Sequence, residues 1–399
     1  MSGLSDGAAA RRLGFVSAAL FAPMGLHMPF FPVWLAAKGL TSAEIGLVLA
    51  LPPLIRVWSA PMLCRIADKR HDPAGMLGLC SIGIAVFLFA TGLFGQSIWA
   101  IAAMVMFTAF AWAPVIALSD GLTLEILSSR KRLEYGRIRL WGSVAFMAAT
   151  LLGGWFLSVA GGLNLIWLIG GLAAVCALIV LSVVSWARSE AREPTSAPEA
   201  GKAQLISLPG VVCLILGVVL IQGSHAFLYG FGSLTWRQDG FSGDFIGALW
   251  AIGVLAEIAL FALVGRFASS PRRGFILIIV GGFAAILRWV LLSLGLPGWA
   301  LLPVQMLHAL SFAGTHVGAM LLLDRVRGAV GGRATLQGWY GGASAAETAL
   351  MSWISGLLFA RYGGAGFLAM TVMVGVGLVF IGFAAWLWAK GENSPESAC

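Results

Sequence analysis

Gly39-Leu40-Thr41-Ser42-Ala43-Glu44-Ile45-Gly46 returns 201 residues later as Gly240-Phe241-Ser242-Gly243-Asp244-Phe245-Ile246-Gly247. The same shift carries Arg65-Ile66-Ala67 onto Arg266-Phe267-Ala268. Two matches in one register make the 399-residue chain a tandem of two related units. The sequence around these matches is apolar: 59% of residues are hydrophobic and 11% are Asp, Glu, Lys or Arg. A soluble domain carries roughly 25% charged residues. Fifty-nine per cent of 399 is about 235 residues, close to the need of a dozen bilayer-spanning helices of ~20 residues each. Runs such as 214–221 and 275–280 are continuously apolar, whereas barrel strands alternate. Despite a net charge of +8, a soluble enzyme and a nucleic-acid binder are excluded. The fold class is an all-α membrane protein.

Breaks at polar and Gly/Pro clusters give twelve segments. They lie near 13–36, 42–64, 74–95, 97–126, 136–160 and 163–186, then near 208–234, 243–265, 275–295, 298–323, 335–360 and 364–389. Two pseudo-symmetric six-helix halves, 1–187 and 208–399, are expected, with a short tail on the second. Between them 188–207 holds Pro194, Pro198 and a mixture of charges, the composition of a disordered linker. Inward loops retain Lys and Arg. An even helix count puts both termini on one side, and 20 of the 25 basic residues fall there. Only Lys38, Arg237 and Arg361 face the other way, while Arg56 and Arg288 sit mid-segment. Termini and linker are therefore expected in the cytoplasm, and the protein in the cytoplasmic (inner) membrane.

Arg11-Arg12 before an apolar stretch is similar to a signal peptide, but no A-x-A site follows, so an uncleaved first helix is expected. The five cysteines show no CxxC pairing, which argues against a disulfide framework or zinc site. No G-x-x-x-x-G-K-[ST], G-x-S-x-G or HExxH stretch occurs. The chain is thus expected to be neither an ATPase nor an enzyme, and to need no cofactor or metal.

A charge at bilayer depth costs at least ~2.5–3.5 kcal/mol, so intramembrane charges are the main functional signal. Arg56 lies mid-helix in segment 2, and the 201 shift maps it onto Glu257 in segment 8. Arg288 is in segment 9, Glu347 in segment 11 and Asp120 near the inner end of segment 4. Static pairing of Glu257 with Arg288 and of Glu347 with Arg56 is the structural alternative to a substrate or proton path. In segment 10, Gln305, His308, Phe312, Thr315 and His316 share one face at 3.6 residues per turn. Gln222, His225 and Tyr229 do the same in segment 7. Trp141, Trp250, Trp289 and Trp339 lie inside segments, as lipid-facing packing or as the wall of an aromatic pocket. Trp99 and Trp299, at segment ends, suit the interfacial belt. Prolines 23, 29, 32, 52, 53, 61 and 114 predict kinked helices in the first half.

Tyr135-Gly136-Arg137-Ile138-Arg139-Leu140-Trp141-Gly142-Ser143 resembles the helix 5 stretch of the oligosaccharide:proton symporters, a branch of the major facilitators whose plan is a duplicated six-helix half. The phenylpropionate permease family is similar over nearly the whole chain. The resemblance rests on Gln222-Gly223-Ser224-His225, Tyr229-Gly230-Phe231, Ala256-Glu257, Arg288-Trp289, Gln305-Met306-Leu307-His308, His316 and Arg56. It implies proton-coupled uptake of 3-phenylpropionate or a related aromatic acid. By similarity to the lactose permease, Arg139 would contact substrate, and Glu257, Arg288 and His308 would form the coupling network. Ser311 stands where that protein has a helix 10 carboxylate, and Gly121, beside Asp120 (or Glu125), where it has a sugar-binding Glu. Asp68, Lys69 and Arg70 resemble the superfamily's loop motif between helices 2 and 3. Glu347 does not resemble a family residue.

The expected mechanism is alternating access about a midplane site, acting as a monomer on a small solute, protons and no nucleic acid. A monocarboxylate would pair with Arg139 or Arg288, whose planar fork matches it. Its ring would lie against Trp141, Trp289 or Phe312, with His225, Tyr229 and Gln305 nearby. Glu257 is the expected proton carrier, with His308, Arg56, Glu347 and Asp120 as further coupling candidates. Rival readings are efflux by proton antiport, symport of a sugar or nucleoside and, outside transport, a receptor or scaffold.

Overall fold

The computed structural model describes residues 5–128, 130, 133–190, 204–205, 208–264, 270–327 and 333–392. The first six helices are α1 (Asp6–Ala37), α2 (Ser42–Lys69), α3 (Pro73–Phe94), α4 (Ile98–Ser128), α5 (Tyr135–Ala160) and α6 (Leu165–Glu190). The second six are α7 (Leu208–Gln238), α8 (Gly243–Val264), α9 (Pro271–Leu292), α10 (Gly298–Leu323), α11 (Arg333–Tyr362) and α12 (Phe367–Glu392). Eleven continuous helical stretches are long and apolar enough to cross a bilayer, and the last, Leu336–Lys390, has 55 residues. At 1.5 Å per residue it would measure about 80 Å, over twice the hydrocarbon core. A 3-10 turn at Gly363–Gly366 divides it into α11 and α12, so the described residues hold twelve spans.

The repeat seen in the sequence is a repeat of backbone geometry. Gly39 and Gly240 both adopt left-handed conformations, with φ of 87° and 86°. Leu40 N–H bonds to Leu35 C=O, and Phe241 N–H to Trp236 C=O, again 201 residues apart. These bonds close the C-terminal turn of the preceding helix, where a glycine escapes the Cβ clash of a positive φ. The next helix then starts on a hydroxyl cap. Thr41 forms a reciprocal capping box with Glu44, and Ser242 Oγ accepts from Phe245 N–H.

Two compact units emerge. The first comprises Met1–Ser196 with Trp236–Ala251, the second Ala197–Thr235 with Ile252–Cys399. In the first, α1 packs on α5 and α6, and α3 packs on α4 and α6. In the second, α7 packs on α11 and α12, and α9 packs on α10 and α12. Each partner number is the earlier one plus six, as a duplicated bundle requires. In the first unit Thr150 Oγ donates to Gly25 C=O at 3.1 Å, where α1 and α5 touch so closely that a methyl on Gly25 would overlap the Phe146 carbonyl.

Some expectations need correction at their edges. The linker begins after Glu190, because Arg188 and Glu190 still belong to α6. Arg188 is tied to Asp72, the N-cap of α3, and Glu190 to Arg130 at 2.9 Å. Gln204–Leu205, also assigned to the linker, pairs in parallel with Val326–Arg327. Positions 191–203 lie outside the described residues. The Asp68-Lys69-Arg70 motif is not a loop: α2 runs through Lys69 and Arg70 is its C-cap.

Candidate functional site

Three helices are interrupted mid-span. α4 breaks at Ala113 and Pro114, and α7 at Ser224 and His225. α10 is α-helical to Met306, widens into a π-helical turn at Ala309–Gly314 and resumes at Thr315. Irregular backbone at membrane depth needs replacement partners, and π-turns recur at functional sites. The partners at the α7 break are local. Ser224 Oγ donates to Ile221 C=O at 2.7 Å, and His225 N–H to Gln222 C=O at 3.1 Å.

The break in α7 and the π-turn in α10 bring together the polar centre of the second unit. Arg288, 1% exposed, points one Nη at His308 Nδ1, 2.8 Å away, and donates from the other to Gln305 Oε1. On the other side of the imidazole, Nε2 lies 2.9 Å from Glu257 Oε1. A guanidinium only donates, so Nδ1 has to be the acceptor and the imidazole proton sits on Nε2, toward Glu257. His308 is therefore neutral. In His225, Nδ1 is 3.1 Å from Gln222 C=O, an acceptor, so Nδ1 carries a proton. Its Nε2 meets Ser311 Oγ at 3.2 Å.

Glu257 and Arg288 do not form the direct ion pair expected from sequence. His308 stands between them, 2.9 Å from Glu257 Oε1 and 2.8 Å from an Arg288 Nη. The 2.9 Å approach of His308 Nε2 is not an aligned hydrogen bond, and Glu257 Oε1 remains buried without one. Arg288 Nε, Gln305 Nε2, Gln222 Oε1 and Glu347 Oε1 are likewise buried without partners. Each such atom costs ~1–3 kcal/mol, so their concentration in one unit calls for an explanation. Phe312 stacks on His308 at 5.2 Å, and Tyr229 lies edge-on to both rings at 6.4 and 6.3 Å.

The π-turn also breaks the single face expected for α10. Gln305, His308 and Phe312 stay together, but the widened turn re-aims the residues C-terminal to it. Thr315 turns inward to bond Ser311 C=O at 3.0 Å, while among the described residues His316 joins none of the ring contacts around His308. Trp289 is fully buried, donates to Ser224 Oγ at 3.0 Å and stacks on Phe367 at 5.7 Å. It is a packing residue rather than an open pocket wall. Sequence reading quotes Ser224 within a family stretch without giving it a role, and takes Ser311 only as a missing carboxylate. Their one available signal is adjacency to His225 and the three-residue spacing from His308.

In the first unit the expected residues are set differently. Arg139 lies 3.9 Å from Asp120 Oδ1, and its guanidinium sits 3.8 Å over the ring of Phe21. Trp141 is largely exposed and packs by one edge on Gly14 of α1. Arg56, a turn after Pro52 and Pro53 in α2, lines a small cavity with His27, Thr91, Thr108 and Trp112. His27 stacks there on Phe31 at 4.4 Å. Arg56 belongs to the first unit and Glu347 to the second. Asp68 lines a second cavity with Cys64, Gly121 and Glu125.

Residues 12–369 match the MFS_1 like family. The probable 3-phenylpropionic acid transporter of Escherichia coli (strain K12) is 29% identical over 377 residues, 90% of this chain and 94% of that protein. The maltose permease of Geobacillus stearothermophilus is 28% identical over 309 residues, 73% of this chain and 74% of that protein. Among solved structures, the nucleoside transporter NupG superposes with a TM-score of 0.72 at 18% identity, covering 96% of this chain and 98% of that one. That likeness bears on the fold.

Proposed function

Since the chain belongs to the MFS_1 like family, and is a multi-pass membrane transporter rather than an enzyme, we propose that it carries an aromatic monocarboxylate such as 3-phenylpropionate together with a proton. The observation that carries this reading is His308 held between Glu257 and Arg288. The supporting likeness is the E. coli transporter, whose named solute is such an acid. The remaining expectations join the proposal: two six-helix halves, a monomer without a cofactor, and termini on the cytoplasmic side of the inner membrane.

Charge balance explains why proton and anion would travel together. With Glu257 ionised and Arg288 charged, the buried centre is neutral. A proton on Glu257 alone leaves Arg288 uncompensated, and a substrate carboxylate alone leaves an excess negative charge. Each state puts an unbalanced charge in low dielectric, which is costly. Together the two restore neutrality. Arg288 Nε and Gln305 Nε2, buried donors without partners, are the groups this reading offers to the carboxylate. Phe312 and Tyr229 would receive the ring, and Arg139 is a second cation for recognition. A neutral sugar or nucleoside would leave the protonated centre charged, which disfavours it.

Cells expressing the protein in weakly buffered medium should raise the external pH when 3-phenylpropionate is added. Acidification would mean antiport. Neither uptake nor a pH change, with the protein present in the membrane, would end the aromatic-acid reading.

A further inference from the structure

Glu347 of α11 stands apart from the centre formed by Glu257, His308 and Arg288. Its carboxyl lies against Gly223, the last residue of α7 before the break, and occupies the space of the missing side chain. A methyl group on Gly223 would overlap the carboxyl carbon and both oxygens. Glu347 Oε1 is buried without a hydrogen-bond partner. Among the described residues Glu347 forms no ion pair. The first stretch of α7, Leu208–Gly223, has Cys213 as its one titratable residue, and the Gly363–Gly366 turn has none. Arg288 on α9, the cation of this unit's centre, is engaged by His308 and Gln305.

A carboxyl enclosed among helices with no counter-ion is stable there only if it is neutral. We propose that Glu347 is a second proton-binding site, filled when α7 closes over it at Gly223 and emptied when the α7 break opens. The proposal rests on the symport reading above and adds a stoichiometry to it. One proton on Glu257 balances one substrate carboxylate, giving electroneutral transport. A second proton on Glu347 makes each cycle carry one net positive charge inward. Transport should then respond to membrane potential and not only to pH.

The second unit also supplies the link between the two sites. Ser224 and His225 follow Gly223 directly, and His225 meets Ser311, whose backbone follows His308 in α10. A change in the α7 break that releases Glu347 therefore pulls on the helix turn that holds His308.

The test uses purified full-length protein in proteoliposomes with labelled 3-phenylpropionate. The parent should accumulate it with a pH gradient alone, and also with an inside-negative potential at equal pH. Glu347→Gln, an isosteric neutral carboxyl mimic, should keep the pH-driven accumulation and lose the potential-driven part. Glu347→Asp, which retains an ionisable group, should keep both. A parent protein whose pH-driven transport ignores the potential overturns the second site alone, as does Glu347→Gln with an undiminished potential response. No accumulation by the parent in a pH gradient overturns the symport reading and this inference with it. Glu347→Gln and Glu347→Asp failing together as misfolded protein would mark Glu347 as structural and overturn the proposal too.

Discussion

Arg139 and Arg288 are the same residue type set in opposite ways. Arg139 is about one-third exposed, stands 3.9 Å from Asp120 and rests its flat face on Phe21. Arg288 is 1% exposed, and its two terminal nitrogens are taken by His308 and Gln305. A loosely paired, partly solvated cation can exchange partners at small cost. A buried one cannot lose a partner unless another arrives. The first setting suits recognition and the second suits coupling, in which two events must happen together. The buried polar atoms without partners in the second unit, from Glu257 to Gln305, point the same way.

The contrast is broken most easily at Arg288. Arg288→Ala should abolish accumulation and destabilise the protein by ~3–5 kcal/mol, the cost of stripping one member from a buried charged cluster. Arg139→Ala should leave the fold within ~1 kcal/mol of the parent. Thermal melting of the two purified variants checks this, and equal losses would erase the distinction. Ligand binding then sharpens it. The parent should bind 3-phenylpropionate at least tenfold more tightly than its amide, because a charge-assisted hydrogen bond is worth ~1.5–3 kcal/mol. Arg139→Ala should weaken acid binding while sparing stability, and equal affinity for acid and amide would remove the carboxylate clamp.

The smallest effect is expected at the helix ends, where charges serve packing alone. The hydrogen bond from Arg188 holds the Asp72 carboxyl below its ordinary 3.8, aided by the Gly75 amide. A carboxyl depressed in the folded state adds stability that is complete above its unfolded value. That stability fades as pH falls through the lower folded value. Asp72→Asn should therefore lower the melting temperature slightly at pH 7, with the difference from the parent vanishing well below pH 3.8. A difference that grows on acidification would contradict the assignment.

Much of the molecule is legible in its sequence, and for local reasons. The duplicated Gly39 and Gly240 stretches encode a helix stop and a hydroxyl-capped restart, so the repeat can be read without the fold. Glu257, Arg288, His308 and Gln305 stand out because charge and amide are expensive in an apolar run. Which side chain touches which is not legible. Arg288 and Glu257 carry opposite charges, but a third side chain lies between them, and its place depends on how α10 turns. A single π-turn at Ala309–Gly314 adds part of a residue per turn, which no 3.6-residue periodicity reveals. It moves Ser311 toward His225 and leaves His316 out of the ring contacts around His308. Trp289 is ambiguous for a different reason: a tryptophan in an apolar helix reads the same whether it lines a pocket or fills the core.

The central claim is that Glu257 takes the proton and His308 passes its charge state to Arg288. Glu257→Gln imitates the protonated carboxyl and keeps its hydrogen-bonding capacity. Reconstituted with labelled 3-phenylpropionate on both sides, the variant should exchange it across the membrane at a rate comparable to the parent. Given a pH gradient and substrate on one side only, it should fail to accumulate. A folded Glu257→Gln protein that concentrates the acid as the parent does would contradict the account.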